Sequence, residues 1–329
     1  MKEKMTLLEV IHKYLLVFLL MILVAVMGIM RPDMFFTTGF FVNVFLTIAI
    51  YGIMMCGTIF VVIRGGIDLS VARIAALSGT FLVKNIMASG MTSGSVAGGI
   101  VLALMISTAI GLLNGLMTEY TGVPAIIVTL ATQKIISAVN QLYIQSKTLT
   151  LAQPAAFTAI ANAKLFGVPM CIVIFLVCVA IAWFVLNQTV FGREVYAVGG
   201  NARTARFTGI QDRRVGVACF AISGFTAGLA GIVLASFNQQ AVYFAANGYE
   251  GYVIVALVIG GVSLNGGEGN ILGAALGAVL LGMINRSLIL LGVDSVYHDI
   301  FRGLMIVLAV ALDVYTSEMS KNRRGKKSV

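Results

Sequence analysis

An all-α integral membrane protein of about ten transmembrane helices is the fold class this sequence predicts, and three observations predict it. Apolar residues make up 59% of the 329 positions and charged residues only 11%, with a mean hydropathy of +1.00; a soluble domain carries about 25% charged residues. Apolar runs recur at the ~20-residue length that crosses a bilayer. The basic residues gather at the two termini and in one internal stretch, the distribution that sets orientation in a membrane. A formal charge of +9 placed this way speaks for membrane lipid rather than nucleic acid.

Taken in order, residues 1–13 carry Lys2, Lys4 and Lys13 and are expected in the cytoplasm as the start of an uncleaved first span. The clearest spans are Tyr14–Met30, Phe40–Ile63, Val96–Met117, Val168–Leu186, Val215–Ser236 and Ile271–Leu291. Weaker ones are Val71–Ala88, Ala125–Tyr143, Tyr249–Val262 and Ile300–Val314. Between the fourth and fifth clear spans lies a cytoplasmic loop, 187–214, containing FGREVYAVGGNARTARFTGIQDRR with five arginines. A polar, basic, Gly-punctuated stretch of this length cannot lie in hydrocarbon and reads as a docking loop. Gly199, Gly200 and Gly209 are expected to permit backbone turns that bulky residues resist. A basic tail, 316–329, ends the chain, which forms one transmembrane domain over 1–329.

Fifteen of the 22 Lys and Arg fall on the inner side in this topology, Arg64 and Arg73 among them, and only Arg31, Lys147 and Lys164 outside. Lys84 and Lys134 lie within spans and read as snorkelling side chains. Both termini are then cytoplasmic.

The two halves resemble each other. Gly111–Asn114 (GLLN) precedes Gly122–Pro124, and Gly282–Asn285 (GMIN) precedes Gly292–Asp294. Gly66-Ile67-Asp68 and Gly248-Tyr249-Glu250 stand upstream of them. The spans of Asn114 and Asn285 run in opposite directions, as an inverted repeat requires; such repeats place a pathway at their interface.

Candidate pathway or gate residues are Arg64, Asp68, Ser70, Asn114, Glu250 and Asn285. Asp68 beside Gly65-Gly66 reads equally as a helix cap and as a gate, with Arg64, four residues earlier, as its ion-pair partner. The polar amides read first as glue between helices and second as partners for sugar hydroxyls. Catalysis has little to work with. His12 and His298 are the only histidines; there is no HExxH, G-x-S-x-G or GxxxxGK[ST]. The four cysteines form no CxxC, so neither metal nor disulfide is expected. The acids fall at span ends, which argues against a proton- or sodium-coupled carrier.

Four stretches carry a family resemblance: Gly65–Gly79 (GGIDLSVARIAALSG), Gly192–Ile210 (GREVYAVGGNARTARFTGI), Gly248–Ala278 and Met283–Asp313. Together they are similar to the permease subunits of carbohydrate-uptake ABC transporters of the ribose/galactose/autoinducer-2 type, related to branched-chain amino-acid permeases. The resemblance covers about Phe35 to Asp313. It implies a pore in the plasma (inner) membrane of a prokaryote, not an enzyme. Its partners would be a second permease subunit (identical or a paralogue), cytoplasmic ATPase subunits that bind the ATP, and an extracytoplasmic solute-binding protein. No cofactor would sit on this chain. The solute would be a monosaccharide; a nucleoside or amino acid is the alternative, and a self-sufficient carrier or membrane enzyme the reading from another class. Gly192, Arg193, Gly199, Gly200, Asn201, Arg206, Gly209 and Ile210 would form the ATPase-coupling segment. Arg64, and Arg73 in Ala72-Arg73, depart from the family's small residues. Anionic lipid at the inner face is the favoured account of them, and an acidic or phosphorylated solute the other.

Overall fold

The computed structural model describes residues 7–311 apart from 295, 299 and 309, with side-chain surroundings from residue 16 onward. The expectations for Lys2 and Lys4, the end of the last span and the tail 316–329 lie outside these residues; Lys13, expected ahead of the first span, lies within its helix, which starts at Leu7.

The chain is helical throughout: α1 (Leu7–Met30), α2 (Pro32–Phe35), α3 (Thr38–Arg64), α4 (Val71–Ala88), α5 (Ser93–Thr121), α6 (Ala125–Tyr143), α7 (Ala155–Asn162), α8 (Met170–Gln188), α9 (Val190–Phe207), α10 (Asp212–Asn238), α11 (Tyr249–Ile259) and α12 (Ile271–Leu290). Residues 300–308 add a further helical stretch. Two-residue strands, β1 (Leu149–Thr150) with β4 (Gln240–Ala241) and β2 (Lys164–Leu165) with β3 (Val168–Pro169), form antiparallel pairs. Among the described residues, seven helices (α3, α4, α5, α6, α8, α10 and α12) are long and apolar enough to cross a membrane. This is a multi-pass membrane protein.

Four of the helices (α3, α5, α9 and α12) begin at side-chain caps. Thr37, Thr92 and Thr189 accept hydrogen bonds from the N–H of Phe40, Ser95 and Gly192, and Asn270 from that of Leu272. The core is centred on α3 and α10. In α3, 89% of the most apolar window is buried inside the protein, against 28% in α5 and α6, whose outer faces are left to lipid or a partner. Small residues allow the close crossings. Gly111 and Gly224 meet backbone to backbone where α5 crosses α10, and Gly231 lies against the Ala75 main chain of α4.

The packing is reciprocal. α10 packs against α4 and α5, and α3 packs against α11 and α12. Each opening helix of one half therefore serves the other half. α3 and α10, both 27 residues, run in opposite directions: the end of α3 and the start of α10 both lie beside α9. Gly122 after α5 and Gly292 after α12 both take left-handed φ, +77° and +72°.

Two of the weak spans begin inside the fold rather than at its edge. After α3 the chain turns at Gly65 and runs unwound to Ser70, where α4 starts beside Ser223. Ser223 is eleven residues past the start of α10, so α4 begins about 17 Å in from the α9 side. From the opposite side, residues 239–248 come inward with only a two-residue strand, and α11 starts beside Gln133 in the middle of α6. The segment 144–169 closes over the far end of α10: the Ser236 hydroxyl donates to the Phe157 carbonyl at 2.7 Å and accepts from the Ala161 N–H at 3.0 Å.

Candidate functional site

At the level where α4 and α11 begin, a chain of buried polar groups crosses four elements. The Asp68 carboxylate accepts from the Ser70 N–H (3.0 Å), the Ser70 hydroxyl (2.6 Å) and the Ser223 hydroxyl (2.8 Å). The Asn114 amide donates to Ser70 Oγ at 3.0 Å, and the Thr132 hydroxyl donates to Asn114 Oδ1 at 2.6 Å. Asp68, Ser70, Asn114 and Ser223 are all buried. Three of the candidate pathway residues thus meet at one point, joined by Ser223 and Thr132, which sequence reading missed. Their signal was weak: single hydroxyls on apolar helices are common.

The expected Arg64–Asp68 pair does not form. Side chains four apart face each other only along one helix, and Gly65, with φ +96°, ends α3 at Arg64. Arg64 instead binds Glu119 at the end of α5 (2.5 Å), with side-chain exposures of 20% and 5%. Asp68 caps the approach to α4 through the Ser70 N–H, although Ser70 itself is the residue before the helix.

Glu250 stands in the first turn of α11 and accepts from Gln133 Nε2 at 3.1 Å. Arg73, expected near the inner face, donates to Asn247 Oδ1 just ahead of that turn. That contact gives Arg73 a partner within the chain. Asn285 does not mirror Asn114; it lines a crevice with Tyr252, His298, Phe301 and Arg302. Asp68 and Glu250 lie at span ends as expected, but those ends sit at mid-depth, so their position no longer argues against a coupled carrier. The Lys84 ammonium reaches the end of α6, where it donates to the Tyr143 carbonyl at 2.8 Å and lies 3.5 Å from the centre of that ring.

The expected loop 187–214 is mostly helix, because nothing in 190–207 breaks one except a kink at Asn201 (φ −161°, ψ 98°). There Asn201 Oδ1 accepts from the Thr204 N–H at 3.0 Å and caps a short second segment. That segment ends in a Schellman closure: Gly209 N–H to Arg206 O (3.0 Å) and Ile210 N–H to Ala205 O (3.1 Å), with Gly209 at φ +89°. Arg193, Arg203 and Arg206 are exposed, and Phe207 is 84% exposed. Arg206 pairs with Asp212 at 2.6 Å, and that carboxylate raises the guanidinium pKa. Gly192 sits against the last carbonyls of α8.

The glycines of α9 divide. Gly199 adopts no left-handed φ; it is needed for contact. A Cβ there would lie 1.8 Å from the Ile63 carbonyl oxygen and 2.6 Å from the Gly267 nitrogen. That nitrogen donates to the same Ile63 oxygen at 2.7 Å. One carbonyl at the end of α3 therefore joins α9 to the turn between α11 and α12. Gly200 faces open space, so the expected restriction there does not hold. Tyr196, whose phenol pKa is raised by burial, donates to the Gly269 carbonyl at 2.8 Å and fastens the same turn.

Residues 40–310 match the family described as Branched-chain amino acid transport system / permease component. The chain belongs to that permease family. It is 33% identical over 301 residues to the ribose import permease protein RbsC of Haemophilus influenzae, covering 90% of this chain and 91% of that protein. It is 33% identical to the D-allose transport system permease protein AlsC of Escherichia coli, over 92% and 91%. The L-arabinose transport system permease protein AraH of Escherichia coli is also 33% identical, over 84% and 83%. No solved structure matches.

Proposed function

We propose that this permease is the pore subunit of an ATP-driven monosaccharide importer in a prokaryotic inner membrane, with both termini cytoplasmic. It works without a cofactor of its own. The observation that carries the reading is the main-chain joint at Ile63. An exposed, basic, kinked helix with an exposed Phe207 is fixed to the end of α3 and to the turn between α11 and α12. A displacement of α9 by a cytoplasmic ATPase subunit reaches both halves through that joint. Gly192, Arg193, Gly199, Asn201, Arg206, Gly209 and Ile210 form the coupling element, with residues 202–208 as its docking face. Ten crossings are counted as α1, α3, α4, α5, α6, α8, α10, α11, α12 and the helical stretch 300–308. The reciprocal packing and the opposed directions of α3 and α10 support an inverted repeat.

The relatives named for ribose, allose and arabinose supply the solute class. A second permease subunit completes the pore, and an extracytoplasmic binding protein delivers the sugar. The starts of α4 and α11 lie where a repeat interface places its pathway, so Asp68, Ser70, Asn114 and Glu250 are assigned to the moving gate. Asn285 lies apart from the Asp68 network, in a crevice that Tyr252 of α11 also lines, two residues from Glu250.

The test is reconstitution with the ATPase subunits and the binding protein in liposomes. ATP-dependent uptake of a labelled pentose or hexose is expected. Uptake confined to nucleosides or amino acids would reassign the solute, and uptake driven by an ion gradient without ATP would overturn the mechanism.

A further inference from the structure

Lys134 is the tenth of the nineteen residues of α6. It lies about 13 Å along the axis from either end, farther than a lysine stem spans. Its side chain is exposed on the outward face that also bears Ile127, Leu130 and Gln141, and no hydrogen bond or ion pair holds it among the described residues. An ammonium at that depth facing lipid would be costly, and snorkelling cannot relieve it. In the assembled pore this face of α6 is therefore covered by water or by the second permease subunit rather than by lipid.

A polar patch lies on the inward side of the same helix. Gln133, adjacent to Lys134, donates to Glu250; three residues before Glu250, Asn247 accepts from Arg73. The patch holds Arg73, the Arg302 guanidinium against Gly248 and the Glu250 carboxylate, and Lys134 stands one residue along α6 from it. Building on the pore reading above, we propose that Lys134, seconded by Arg73, lines the water-filled pathway and acts as an electrostatic barrier that keeps small cations and protons from leaking while a neutral sugar passes. Cation exclusion by a fixed positive side chain in a narrow wet pore needs no conformational change. A pump that draws its energy from ATP needs such a barrier, because an ion leak would run down the membrane potential without serving transport. Hydroxyl-rich solutes, carrying no charge, cross it freely.

Two measurements on the reconstituted complex test this. In the first, Lys134→Cys is labelled with a membrane-impermeant sulfonated thiol reagent, the parent chain serving as control for its own cysteines. Leu176→Cys, on the outward face of α8, is the lipid-facing reference. Lys134→Cys is expected to react about tenfold faster than Leu176→Cys, and equal unreactivity of the two would overturn a wet pathway at α6. In the second, proton and sodium flux is followed in proteoliposomes during ATP turnover. Lys134→Glu is expected to raise cation flux about tenfold or more, with Lys134→Gln between it and the parent. Unchanged flux in Lys134→Glu while ATP is hydrolysed would overturn the barrier. So would loss of sugar uptake with no added flux, which would place Lys134 in solute contact instead. Failure of the parent complex to move sugar with ATP would count against the pore reading, separately from either result.

Discussion

Adding one methyl group at Gly199 tests the joint between α9 and the core directly. In Gly199→Ala the new Cβ would stand 1.8 Å from the Ile63 oxygen, 2.6 Å from the Gly267 nitrogen and 2.9 Å from the Ile63 carbonyl carbon. All three are main-chain atoms, so no rotamer change relieves them. α9 must move outward by more than 1 Å or the bond from Gly267 N to Ile63 O must break. Overpacking costs about 1–3 kcal/mol and the lost hydrogen bond about 1 kcal/mol. The gain in helix propensity returns up to ~1 kcal/mol. The net loss is about 1–3 kcal/mol. Gly200→Ala is the matched control, because its Cβ meets nothing within 4 Å. Thermal unfolding of the purified permease and sugar-stimulated ATP hydrolysis by the complex are the assays. Gly199→Ala should unfold at a lower temperature than Gly200→Ala and lose most of the stimulation. Equal unfolding temperatures together with equal stimulation would refute the joint.

The remaining expectations address the gate, the ion pair, the docking face and the topology. Asp68→Ala leaves the Ser70 N–H and two hydroxyls short of an acceptor at a cost of about 2–4 kcal/mol; a melting temperature equal to the parent's would remove Asp68 as the centre of the network. Arg64→Met strands the buried Glu119 carboxylate at about 3 kcal/mol, and Arg64→Met with Glu119→Met should recover at least half of that. The same Arg64 change should add to Asp68→Asn within about 0.5 kcal/mol, and strong coupling between those two would restore the pairing the structure rejects. Phe207→Ser removes an exposed ring, so stability should hold while capture of the ATPase subunit weakens; unimpaired capture would clear Phe207 of docking. Single cysteines at Ser146 and Thr204, both exposed, should label from opposite sides of the membrane, and labelling from one side would break the ten-crossing count between them.

Much of this molecule was legible in its residues, for identifiable reasons. Membrane class, the strong spans and the exposed basic segment follow from hydrophobic length and charge, which are properties of contiguous sequence. The weak, Gly-interrupted spans marked α4 and α11, which begin inside the fold, because unwound backbone leaves apolar runs short. The Arg64–Asp68 pair failed because helical spacing assumes an unbroken helix, and Gly65 breaks it. Glu119 could not be foreseen as the partner of Arg64, since the two lie 55 residues apart and meet only through packing. Gly199 was found for the wrong reason: glycine suggests a turn from sequence, whereas here it serves contact, which only the neighbouring Ile63 backbone reveals.

Because the joint at Ile63 is made of main-chain atoms and a residue without a side chain, its geometry is independent of the surface beyond it. The proposed docking face, residues 202–208, presents exposed Arg203, Arg206 and Phe207 while sharing none of its side chains with the Ile63 contact. Under the proposed coupling, specificity for a motor and delivery of its stroke would reside in separable parts. Exchanging that face would then change which ATPase docks while leaving the joint as it is.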